Sequence, residues 1–369
     1  MTDQMRSESE FAQKQAVIRD LLAEHDLDAL LLERVSSFAW ATCGASSYIN
    51  TASSTGVASL LITPSARYVI ADNIETPRLE QEEQLAMQGW EFKTHRWYES
   101  GAVSDLTRGL RLGADVPHPG ARDLSSELSR VRANLTPEEG ERFRGLGRLC
   151  AEAMDEAIRA VRPGQTEYAI AGLLAVSAEK RGVQAIVNLV ATDERISNFR
   201  HPLPTARKLE RYAMLVLCGR RWGLICSITR LVHFGSLPDE LRLKSEAVAR
   251  VDAAFLGATR PGATIADVFK QAVEAYAREG YPDEWRRHHQ GGPAAYEPRE
   301  FVATPELTDV VRAGQVYAWN PSITGAKSED TVLIGEQGHE VLSEIPGWPS
   351  LAAQAGGREV ARPAILEVT

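Results

Sequence analysis

At 369 residues, with 44% hydrophobic and 25% charged side chains, the chain is long enough for two ordinary domains and has the balance of a globular protein. A net charge of −9 with dispersed Lys and Arg argues against a nucleic-acid face, because phosphate contacts need clustered cations. No apolar run approaches the roughly 18 residues of a membrane helix. The N-terminal stretch lacks the apolar core of a signal peptide. Four cysteines (Cys43, Cys150, Cys218, Cys226) do not make a disulfide framework and read as small apolar filler. Cytosol is the expected compartment, and neither nucleic acid nor membrane is an expected partner.

In chain order, a helical stretch near Glu10–His25 leads into a short apolar strand, Asp28–Glu33. Val57–Thr63 and Arg67–Asp72, joined by Pro64-Ser65-Ala66, read as a hairpin. Pro77–Gln88 is charged and helix-prone, and Glu91–Trp97 and Leu110–Ala114 are further strand candidates. Their sum is a small α/β domain. At Thr136-Pro137-Glu138-Glu139 a Thr caps a new helix, Pro takes its first position and acids face its dipole. That places an N-terminal domain at 1–133 and a second domain at 134–369.

The second domain contains an internal repeat. Arg162-Pro-Gly-Gln-Thr166 recurs 98 positions later as Arg260-Pro-Gly-Ala-Thr264, and the helix-prone segments that follow end in Arg181-Gly182 and Glu279-Gly280 at the same offset. Pro-Gly supplies a turn and Thr an N-cap in each copy, with Asp267 expected to complete a capping box in the second. A duplicated helix–sheet unit predicts a pseudo-symmetric α/β (α+β) domain with a cleft between its halves.

The segment Ala213–Arg230 resembles the strand pair that carries two metal-binding aspartates in the pita-bread family of creatinase, aminopeptidase P and prolidase (peptidase M24-like). The family pattern is Asp-x-Gly, a short turn, Gly-Tyr, then Ser-Asp-Ile-Thr-Arg. Gly219, Gly223, Thr229 and Arg230 match it, whereas Leu217 and Ser227 stand where the aspartates belong. The resemblance covers nearly the whole chain, with Ser36–Trp40 and Asn73–Glu75 similar to the creatinase N-terminal domain. Working members hold two metals with two Asp, one His and two Glu. Of those positions, His289 (in His289-Gln-Gly-Gly292) and Glu329 (in Ser328-Glu-Asp-Thr331) are kept, and Asn320 replaces the first Glu. Hydrocarbon cannot ligate a metal and a neutral hydroxyl is a poor ligand for a hard cation. One carboxylate cannot balance two divalent ions, so no metal or other cofactor is expected.

Creatinase-like members work without metal, through a histidine in a His-Pro context that Asn198-Phe-Arg-His201-Pro202 matches. The resemblance therefore implies His201 as the proton-transfer residue, supported by Glu329 and His289. Ser227, Asn320, Arg299, Arg230 and Tyr296 are the candidate substrate-binding residues, with Lys327 a further candidate clamp for a substrate carboxylate. A single metal on His288 or His289 is disfavoured, since adjacent residues on a strand point to opposite faces. The leading reading is a metal-independent hydrolase acting on a C–N bond of a small polar or zwitterionic substrate. A catalytically inactive binding module and an Xaa-Pro peptidase with an altered metal site remain beside it. The implied partners are a small-molecule or short-peptide substrate and, by family resemblance, a second copy in a homodimer.

Overall fold

The computed structural model describes residues 8–355 and 357–369. One compact unit takes the chain through Arg132 together with Trp222–Leu224, and the other takes Ala133–Arg221 and Ile225–Thr369. In the first, the helix Glu8–Glu24 precedes strands β1 (Ala29–Arg34), β2 (Thr55–Ile62), β3 (Arg67–Asp72), β4 (Glu91–His95), β5 (Leu112–Ala114) and β6 (Arg122–Asp123). They form one mixed sheet in the order β4-β3-β2-β1-β5-β6. The apolar run Leu30-Leu31-Leu32 lies at its centre and is fully buried, as a strand covered on both faces should be. The helix expected over Pro77–Gln88 is broken into Thr76–Gln81 and a 3₁₀ turn at Leu85–Gln88, because Gln84 adopts a left-handed conformation (φ 55°) that no helix can continue through.

In the second unit, the helix Pro137–Ala160 opens on a complete capping box. The Glu139 amide donates to Thr136 Oγ1 (3.2 Å), and the Thr136 amide donates to Glu139 Oε2 (2.7 Å). The two repeat copies become the helices Glu167–Glu179 and Ile265–Arg278, capped by Thr166 and Thr264. In the second copy the box is not reciprocal, since Asp267 accepts the Thr264 hydroxyl (2.7 Å) instead of the Thr264 amide. The duplication extends into the hydrogen bonds. Leu209 donates to the Gln165 carbonyl and Val311 to the Ala263 carbonyl, both at 2.9 Å, and the isolated bridges Thr166–Lys208 and Thr264–Val310 correspond.

The strands of this unit are β7 (Gln184–Thr192), β8 (Tyr212–Arg221), β9 (Leu224–Phe234), β10 (Gly291–Ala294), β11 (Val316–Trp319), β12 (Ser322–Ile323), β13 (Ala326–Lys327), β14 (Asp330–Ile334), β15 (His339–Val341), β16 (Ser350–Ala355), β17 (Arg358–Pro363) and β18 (Leu366–Val368). Two four-stranded sheets carry the two halves, ordered β18-β9-β8-β7 and β10-β11-β14-β15. The helix Asp239–Ala258 supplies Val251 and Phe255 to a core that includes Phe269, Tyr317 and Trp319. Phe255 stacks on Trp319 at 4.6 Å. Among the described residues, no helix is long and apolar enough to cross a membrane.

Strand β8 turns into β9 through Trp222 and Gly223, both at positive φ (53° and 75°), the requirement of a two-residue type I′ hairpin. Gly219, three residues earlier, is fixed by space. A Cβ there would lie 2.5 Å from Val183 Cγ1 and 2.6 Å from Cys150 Sγ. Gly219→Ala is expected to cost about 1–3 kcal/mol by overpacking, read as a lower urea midpoint at unchanged m-value.

Candidate active site

Glu329 lies between β13 and β14 and is buried (2% exposed). Its carboxylate is held by Lys327 Nζ at 2.7 Å and Arg299 Nη2 at 2.9 Å, and it accepts the Thr229 hydroxyl at 2.5 Å. Burial alone would raise its pKa, but the two cations and the hydrogen bonds outweigh that and bring it to about 2. Arg299 Nη1 also donates to Ser227 Oγ (3.1 Å), and Cys218 Sγ lies 3.3 Å from the same oxygen.

The Cys218–Ser227 contact fixes the register of the hairpin. A two-residue turn sets Arg221 opposite Leu224, hence Cys218 opposite Ser227 and Leu217 opposite Ile228. Leu217 thus shares the face of Gly219, where a Cβ would be 3.8 Å from Leu217 Cδ2, on the side away from Ser227. This corrects the placement of Leu217 at the site. Met214 and Val216 share the face of Cys218 on β8, and none of the three is a carboxylate.

Three histidines converge beside the ion triad. His201 Nε2 and His288 Nε2 are 3.0 Å apart, and the His288 and His289 rings stack at 4.4 Å. A strand would turn His288 and His289 to opposite faces. That does not occur, because β10 begins only at Gly291 and His288 ends the 3₁₀ turn Glu284–Arg287. All three imidazoles are shifted toward the neutral form. His288 is lowered to about 2 by burial and then by Lys327, and His289 to about 4 by burial and then by Arg299. His201 is lowered by burial and then by Lys327. A small cavity beside them is lined by Ile196, Phe199, Met214, His288, Ser322 and Lys327.

Glu284 ties these segments together. It accepts from Arg200 Nη2 (2.7 Å) on the His201 loop, and from the amide (3.0 Å) and hydroxyl (2.8 Å) of Thr324 in the turn before Lys327. It also begins the turn that ends at His288. Neither Glu284 nor Cys218 carries a spacing signal in the sequence, and both emerge only from the folded geometry.

The expected substrate-binding residues divide. Ser227, Asn320 and Arg299 lie with Glu329 or, for Asn320, next to the histidine segment, where its amide donates to the Gln290 carbonyl (3.0 Å). Arg230 does not join them. Its guanidinium is engaged by Asp330 (2.8 Å) and the Ser343 carbonyl (3.1 Å), in a buried network where Arg362 bridges Asp330 (2.8 Å) and Asp252 (2.7 Å). Tyr296 is likewise committed elsewhere, its hydroxyl donating to Glu139 at 2.5 Å.

A two-metal centre does not fit these donors. Val216, Cys218, Ser227 and Asn320 supply no carboxylate, and the one carboxylate present already neutralises part of two fixed cations. Since the depressed pKa of Glu329 favours folding above its ordinary value of 4.5, that stability is fully present at neutral pH and is lost as pH falls toward 2. Glu329→Gln leaves two buried cations unpaired and is expected to lower the unfolding free energy at pH 7 by about 3 kcal/mol or more. It should also flatten the acid limb between pH 5 and 2 in urea titrations.

The metallopeptidase family M24 model matches residues 141–336, more than half of the chain. The chain is 23% identical over 262 residues to an Xaa-Pro dipeptidase of Lactobacillus helveticus, covering 68% of this chain and 71% of that one. It is 31% identical over 140 residues to an agropine synthesis cyclase of Rhizobium rhizogenes, covering 36% and 35%. The crystal structure of the prolidase from Pyrococcus horikoshii OT3 superposes with a TM-score of 0.78 at 18% identity, over 90% of this chain and 98% of that one. With the duplicated helix–sheet unit and the retained His289 and Glu329, the chain belongs to metallopeptidase family M24 and has its pita-bread fold.

Proposed function

We propose that the protein is a metal-independent hydrolase that cleaves a C–N bond in a small zwitterionic substrate, with His201 as the proton-transfer residue. The observation that carries this reading is a set of buried polar atoms without partners at one place. Among the described residues these include His288 Nδ1, His289 Nδ1, Arg299 Nε, Asn320 Oδ1 and Ser322 Oγ. Native proteins leave few such groups, and five around one site mark a surface built for a polar ligand.

The chemistry follows from the charges. The Glu329–Arg299–Lys327 triad carries one net positive charge and draws the anionic end of a zwitterion. His201, exposed and in contact with His288, takes a proton from water as the oxygen attacks the substrate carbon. It returns that proton to the departing nitrogen as the C–N bond breaks. The names of the dipeptidase and prolidase relatives make short peptides the first substrates to try, followed by small amides and amidines.

The test is a hydrolysis screen with and without chelator. EDTA is expected to leave the rate unchanged, and His201→Ala to lower kcat by about 10²-fold or more. Activity lost to EDTA and restored by Mn²⁺, or retained in His201→Ala, would sink the mechanism. The protein is also proposed to act as a homodimer, and light scattering at the monomer mass would refute that.

A further inference from the structure

The three histidines make a second kind of site that the proton-transfer role does not require. One ligand atom from each of His201, His288 and His289 lies within 4.8 Å of the others, and the closest pair is at 3.0 Å. Tetrahedral coordination with Zn–N bonds of about 2.0–2.1 Å places ligand nitrogens about 3.3 Å apart, so small χ rotations close the set around one ion. The three come from two segments, the loop after the short helix Glu194–Asn198 and the stretch between the 3₁₀ turn and β10. Glu284 clamps both against the same turn. His201 is exposed, so the cluster is reachable from solvent.

The surrounding charge decides which ions fit. Lys327 and Arg299 leave the neighbourhood one charge positive after Glu329 is counted. A hard ion held by charge, such as Mg²⁺, Ca²⁺ or Mn²⁺, finds here one carboxylate, already held by two cations, and no negative excess. A borderline ion that bonds to neutral imidazole does find its ligands. We infer that His201, His288 and His289 form a mononuclear site for a borderline transition-metal ion, of which Zn²⁺ is the type, and that the bound ion inhibits by occupying the His201 lone pair. The inhibitory consequence rests on the role proposed above for His201, whereas the binding does not.

Binding is measured on the full chain by calorimetry with Zn²⁺ and by visible absorption with Co²⁺, whose tetrahedral complexes absorb strongly. One equivalent is expected to bind, with Mn²⁺ and Mg²⁺ showing no heat. His288→Ala and the exposed His201→Gln should each weaken binding at least about tenfold. Thermal melts of the unliganded variants report whether the fold is kept, and His201→Gln serves if His288→Ala does not fold. No binding of Zn²⁺ or Co²⁺ by the unaltered chain overturns the site. Equal binding in a folded His201→Gln variant overturns it too, because the ion then sits elsewhere. Stoichiometric binding that leaves hydrolysis unaffected overturns the inhibition and the assigned role of His201 together, while the binding stands.

Discussion

The arrangement of the site depends on one buried carboxylate shared by two cations. Glu329 with Arg299 and Lys327 is a desolvated triad in which no member is tolerable alone, since an unpaired buried charge costs several kcal/mol. The triad fixes the electrostatic sign of the whole site. Where the family's metal-binding members have excess negative charge neutralised by two metal ions, this chain has a single negative charge outweighed by two side-chain cations. That same positive field helps keep the nearby histidines uncharged, as Lys327 or Arg299 contributes to each of their lowered pKa values after burial. Neutral imidazoles can act as bases or ligands, and the positive field of Lys327 and Arg299 favours that form.

The segment Ser328-Glu329-Asp330 separates the triad from a second buried network. Successive side chains on an extended segment point to opposite sides. Glu329 points to the triad, while Ser328 donates to Asp252 (2.5 Å) and Asp330 joins Arg230 and Arg362. The second network, with four buried charged residues, is balanced by itself: Asp252 and Asp330 against Arg230 and Arg362. Stability and site chemistry therefore occupy opposite sides of the same three residues.

Much of this was legible from residue types. The Pro-Gly-x-Thr repeat announced the duplication, because turn and cap chemistry is local and survives in any context. The hairpin Trp222-Gly223 and the segment around Glu329 placed the chain in its fold. What the sequence could not show was facing. The resemblance sets Leu217 at an aspartate position, yet the hairpin register turns it toward Cys150 and puts Cys218 opposite Ser227. Arg230 matched a motif and has a structural partner in Asp330, a pairing separated by 100 residues that no local pattern encodes. The His-x-x-Gly pattern suggests a strand for His288 and His289, and the short 3₁₀ turn before them is what brings their rings together.

The histidine cluster also explains why Glu284 carries so many hydrogen bonds. Three imidazoles with no carboxylate partner have little to hold their rings in register, and two of them leave a buried nitrogen unpaired. Their positions must then be imposed by the segments that bear them. Glu284 does this with one carboxylate, accepting from Arg200 beside His201 and from Thr324, which leads to Lys327, while itself opening the turn to His288. Side chains that cannot position one another are positioned through backbone, and a half-buried acid outside the reacting group is the economical way to do so. Order at this site is thus inherited from the loops, which is why the residues that set it look unremarkable in the sequence.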